Sequence, residues 1–161
     1  MKHKLITLFA SLLMLAAPAF AQQASYTLDQ LKAFVALTPD AFRQQVKGQG
    51  FSYADKTVTP EVSMIEYDKV VDDHTIRFMK STYAESRAGE NNIQLSLTDK
   101  AAFERLVKEV RAAGYAPAEK GRIPGGETYQ EFKRKNDVVR FVYPAKDSVP
   151  GRPSYTAVVW R

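Results

Sequence analysis

A chain of 161 residues, 45% hydrophobic and 25% charged, has the apolar content for one folded core. Its formal charge of +5 comes from interspersed bases and acids with no run of either sign, which argues against a nucleic-acid partner. The absence of cysteine excludes disulfides, thiolate catalysis and cysteine-ligated metals.

The first 21 residues read as a secretory signal peptide. Lys2 and Lys4 form a basic start, Leu5 to Ala17 is mostly apolar, and Ala19-Phe20-Ala21 supplies a small-x-small cleavage site before Gln22. The apolar run is shorter than the roughly 20 residues of a membrane span, and no later segment approaches that length. The expected mature chain is therefore residues 22–161, periplasmic or secreted, with a charge of +3 once Lys2 and Lys4 are gone.

Leu28, Leu31, Phe34 and Val35 recur at helical spacing after Thr27, a good cap, and predict a first helix from Tyr26 to Leu37. Thr38-Pro39 restarts a helix that buries Phe42 and Val46 and stops at Gly50. From Phe51 the period changes to that of strands. Phe51 to Thr57, Glu61 to Lys69 and Thr75 to Tyr83 are expected strands, with a turn at Asp72-Asp73. Ala88 to Asn92 reads as a loop, and Ile93, Leu95 and Leu97 mark a fourth strand.

The clearest helix of the chain follows. Thr98 is its expected cap, Asp99 stands in the first turn, Phe103, Leu106, Val107 and Val110 form one face, and Gly114 ends it before Tyr115. Four more strands are predicted: Tyr115 to Ile123, confined to an edge by Pro117; Glu127 to Lys135; Val138 to Ala145; and Ser154 to Trp160.

The two halves match at near-constant offset. Met64 to Lys69 aligns with Tyr129 to Arg134, and Thr75 to Met79 aligns with Val138 to Val142. The expected fold class is α+β: two tandem helix-plus-antiparallel-meander repeats, residues 22–97 and 98–161, in one compact domain. They would form one antiparallel sheet of about eight strands with helices on one face.

That order of elements resembles the β-lactamase-inhibitor-protein architecture over nearly all of the mature chain. The resemblance implies a bare, concave sheet face that grips a partner protein, although that family's disulfides have no counterpart here. The pattern also resembles small secreted bacterial proteins with a doubled helix-sheet unit, a Leu-rich start and a Gly-aromatic helix end.

Candidate chemistry is sparse. His74, beside Asp72 and Asp73, is the one histidine of the mature chain and reads as part of a solvated turn with no further metal ligand beside it. Gly125-Gly126 lacks the setting of a phosphate loop and reads as a hairpin turn. Glu66 and Glu131 hold equivalent repeat positions and could act as a glycosidase-like pair, or each could pair across strands with Arg77 and Arg140. No catalytic residue, metal ligand or cofactor motif is assigned.

The face opposite Ile76/Phe78 and Val139/Phe141 carries Arg77, Met79, Arg140 and Val142, with Tyr83, Tyr143 and Trp160 at its margin. Arginine, methionine and aromatic residues are enriched where proteins grip partners. The preferred expectation is a non-enzymatic binding module, such as an inhibitor, that uses this face. A carboxylate-dependent hydrolase of cell-wall or glycan material and an envelope assembly factor are the alternatives. An open edge strand could also pair with a second copy of the chain.

Overall fold

The computed structural model describes residues 25–146, 148 and 154–160; the expected signal peptide, residues 1–21, lies outside them. Thr27 caps α1 (Leu28–Ala36) through a capping box, its hydroxyl accepting from Gln30 N while the Gln30 side chain accepts from Thr27 N at 2.9 Å. Thr38 caps α2 (Pro39–Gly48), with Pro39 at the position where a missing N–H is no loss. At Gly50 the backbone turns left-handed with φ +85°, and Phe51 N folds back onto Val46 O at 3.1 Å.

The cap of α3 (Lys100–Ala112) is Asp99 rather than Thr98. The Asp99 carboxylate accepts from the amides of Ala101 and Ala102 at 2.8 and 3.2 Å. Thr98 is used elsewhere: its hydroxyl accepts from Thr75 N at 3.0 Å and ties the helix entrance to the sheet. A carboxylate is the stronger acceptor at a helix N-terminus, because it also meets the positive end of the dipole.

Eight strands follow the expected boundaries within two residues or so: β1 (Ser52–Val58), β2 (Val62–Val71), β3 (His74–Tyr83), β4 (Asn92–Leu97), β5 (Ala116–Arg122), β6 (Thr128–Arg134), β7 (Asp137–Tyr143) and β8 (Tyr155–Trp160). They form one antiparallel sheet in the order β1-β2-β3-β4-β8-β7-β6-β5. Each half is a meander, and the two meet where β4 pairs with β8. The loop expected before β4 contains a short 3-10 helix, Glu85–Glu90. No helix among the described residues is long and apolar enough to cross a membrane.

Strand alternation sends Tyr67, Phe78, Leu95, Ala157, Phe141 and Phe132 to the side covered by the helices, and all six are buried. In the first half Phe78 packs against Tyr26, Phe34, Phe42 and Phe51 with ring centroids 4.7 to 6.3 Å apart. In the second half Phe103 meets Phe141, Tyr143 and Tyr155. Such pairs contribute about 0.5–1.5 kcal/mol each beyond the burial of their area.

One member of the buried side is a lysine. Lys80, at 2% exposure, follows Ile76 and Phe78 on β3 and passes under the end of α1. Its ammonium donates to Phe34 O at 2.9 Å and Val35 O at 3.0 Å, carbonyls of the last helical turn, of which Phe34 O also accepts from the Leu37 cap amide at 3.4 Å. The negative end of the helix dipole offsets part of the cost of burying the charge. Burial still pushes its pKa down to about 8.

Candidate binding surface on the open sheet face

The strand positions between the core residues form the face that the helices leave bare. Across the sheet the directly opposed residues run Asp68, Arg77, Ser96, Thr156, Val142 and Tyr129 in one row. The next row is Glu66, Met79, Gln94, Val158, Arg140 and Glu131. Five expected residues, Arg77, Met79, Arg140, Val142 and Trp160, therefore share this face, and Tyr83 lies on it at the far end of β3. Ser96 and Thr156 share a hydroxyl hydrogen bond of 2.9 Å at its centre.

Tyr143 is a correction. It has the parity of Val139 and Phe141, points to the helix side and packs edge-on against Phe103 at 5.3 Å. Its half-buried ring belongs to the core, and burial raises its hydroxyl pKa.

The two arginines are held differently. Arg77 makes a fork on Asp68, which stands directly opposite, at 2.7 and 2.8 Å; Glu66, the expected partner, is a diagonal neighbour at 3.5 Å. Arg140 does pair with the opposed Glu131, donating from Nε at 3.0 Å and Nη2 at 2.5 Å. Lys133 Nζ reaches the other carboxylate oxygen at 3.3 Å. Burial acts to raise the Glu131 pKa, but hydrogen bonds from Arg140 and Lys133 outweigh it and hold the carboxyl below its ordinary value.

Arg140 also lies between two rings. Its guanidinium carbon is 4.5 Å from the centre of Tyr129 and 5.5 Å from that of Trp160. The diagonal strand neighbours on β6 and β8 make this unit possible. Beside it lies a hollow of about 320 Å³ walled by Glu131, Lys133, Val138, Trp160 and the Gly89-Glu90 end of the 3-10 helix. That helix is pinned to the sheet by Tyr83 N donating to Asn91 Oδ1 at 2.7 Å and Asn92 Nδ2 donating to Glu90 O at 3.1 Å. Arg87 crosses the Tyr83 ring at 4.8 Å while pairing with Glu90.

Tyr129 and Lys133 were not among the expected face residues. Both have the parity of Glu131, which was the signal available. The Tyr129 ring lies over Gly121 on β5, where a methyl group would come within 2.7 Å of it, and its hydroxyl donates to Glu119. Gly121→Ala should therefore push Tyr129 away from Arg140 at a cost of about 1–3 kcal/mol. A urea midpoint unchanged by that substitution would show that the ring has room to move.

Glu66 and Glu131 do not meet. β2 and β6 are separated by five strand spacings, about 24 Å at ~4.8 Å per spacing, whereas a glycosidase pair needs about 5–9.5 Å. Asp72 and Asp73 form the β2–β3 turn with φ of 48° and 64°, and His74 Nδ1 lies 3.4 Å from the Thr98 hydroxyl. No group of three or more potential ligands able to hold a metal ion occurs among the described residues. Gly125-Gly126 is a hairpin turn closed by Gly126 N donating to Ile123 O at 2.9 Å.

Comparison of the chain with protein-family models, with curated proteins and with solved structures gives no match.

Proposed function

We propose that this chain is a secreted or periplasmic binding module that grips a protein partner with the open face of its sheet. The observation that carries the reading is the Arg140 unit: a guanidinium set between Tyr129 and Trp160, anchored on buried Glu131, beside a hollow. Arginine and tryptophan are the residue types that dominate binding energy at protein interfaces, and holding them in place lowers the entropy lost on docking. The secretory part of the reading rests on residues 1–21 alone. The reading of two duplicated halves is supported by the strand order, in which two four-strand meanders meet at β4 and β8.

The test is capture of partners from envelope and medium fractions by the wild type and by Met79→Lys/Val142→Lys. Neither position supplies an ion pair, so the double variant adds bulk and charge to the face and leaves Arg77 and Arg140 in place. A partner bound by the wild type should be lost by about thirtyfold or more in a variant of unchanged melting temperature. Equal capture by both proteins would remove this face from consideration.

A further inference from the structure

The helix layer stops short of one sheet edge. β5 is exposed along nearly its whole length, and between it and α3 lies a cleft of about 630 Å³ on the helix side, opposite the binding face. Arg111 enters it from α3, and Lys120 and Arg122 enter from β5, where they are paired in register with Gln130 and Thr128. Arg111 is steadied by the Phe132 ring, 5.2 Å from its guanidinium carbon.

No carboxylate lines this cleft, and no ion pair to any of its three cations occurs among the described residues. Three of the acids nearest in sequence are engaged elsewhere. Glu109 accepts from Leu28 N at 2.9 Å, Glu104 pairs with Lys100 at 3.5 Å, and Glu119 accepts from the Tyr129 hydroxyl. Glu127 lines the adjoining cavity, which shares Arg122 and Thr128 with this one. Charge is segregated on the larger scale too: residues 22–97 hold eight bases and ten acids, and residues 98–161 hold thirteen bases and eight acids.

Three cations converging on one concavity repel each other unless an anion joins them. Two of them are arginines, whose forked donors match phosphate oxygens better than a point charge does. We propose that the cleft between α3 and β5 binds a phosphoryl-bearing anion, held by Arg111, Lys120 and Arg122. The phosphoryl group can belong to a soluble phosphate ester or diphosphate, or to a lipid headgroup presented to the sheet edge. The three cations lie outside the protein-binding face, although Tyr129 lines this cleft as well as flanking Arg140.

The experiment titrates the protein with pyrophosphate by calorimetry at low ionic strength, and in parallel sediments it with vesicles of phosphatidylglycerol or of phosphatidylcholine. Both arms are repeated with Arg111→Gln/Lys120→Gln/Arg122→Gln. Because Arg111 also packs on Phe132, the Lys120→Gln/Arg122→Gln variant, altered only on an exposed strand, is included. Pyrophosphate binding that falls about a hundredfold in the triple variant and about tenfold in the double variant assigns a soluble phosphoryl ligand. Binding to phosphatidylglycerol vesicles alone, with the same losses, assigns a lipid headgroup. Met79→Lys/Val142→Lys should keep the binding in either case. If neither probe binds the wild type, or the double and triple variants bind as the wild type does, the proposal is wrong.

Discussion

Raising the pH from 7 to 10 should stabilise the wild-type protein by about 2–3 kcal/mol relative to Lys80→Met. Lys80 has an ordinary pKa of 10.5 in the unfolded chain and about 8 beneath α1. Below pH 8 both states hold the proton and the difference is constant. Between 8 and 10.5 the folded protein releases it while the unfolded chain keeps it, so each pH unit adds about 1.4 kcal/mol to stability. The methionine variant has no such group and should stay flat over the same window.

The upper end of the window is set by a half-buried group. Burial pushes the Tyr26 hydroxyl up to about 12 from 10.0. Above pH 10 the unfolded tyrosine ionises first, so stability is lost as the pH rises further, in wild type and variant alike. Urea midpoints for both proteins at pH 7, 8, 9 and 10 isolate the lysine. A difference that does not grow with pH would mean that Lys80 keeps an ordinary pKa, against its 2% exposure.

Arg140→Met should cost about 3 kcal/mol at pH 7, because it leaves Glu131 buried at 5% exposure with only Lys133 against it. Most of the loss should return in Arg140→Met/Glu131→Gln, which removes the stranded charge along with its partner. The pH dependence has the opposite sense to that of Lys80. The folded-state pKa of Glu131 lies below its unfolded value, so the pair contributes fully above about pH 4.5 and fades as the pH falls through the folded value. The gap between wild type and Arg140→Met should therefore narrow in acid. A double variant as unstable as the single one would show that the guanidinium acts through its packing on Tyr129 and Trp160 instead.

Helices and strands were legible because they rest on local patterns: caps at Thr27 and Thr38, glycine stops at Gly50 and Gly114, and period-two alternation in β3, β4 and β7. Where the sequence reading failed, composition had been followed over parity. Tyr143 was expected at the margin of the open face, although its spacing from Phe141 assigns it to the core. Lys80 escaped notice for the converse reason, since a lysine two residues after Phe78 contradicts its own polarity. Only the carbonyls of a helix end above it make the position tolerable. Periodicity also carries no record of strand order. The pairing of β4 with β8, which puts Glu66 and Glu131 on opposite flanks, depends on contacts about sixty residues apart in the chain. The cleft of Arg111, Lys120 and Arg122 is local in the chain, but it depends on how β5 turns back beside α3 after Gly114, which periodicity does not record.

β8, the last of the eight described strands, occupies the middle of the sheet. A chain emerging from the ribosome can complete the first meander, but β4 then ends in a row of unpaired amides and carbonyls. β7, when it follows, has the same open flank. Residues 155–160 bridge both at once, so the two halves join only once β8 has been made. Until then the half-made molecule holds two adhesive edges, open to pairing with other chains until β8 fills the gap between them.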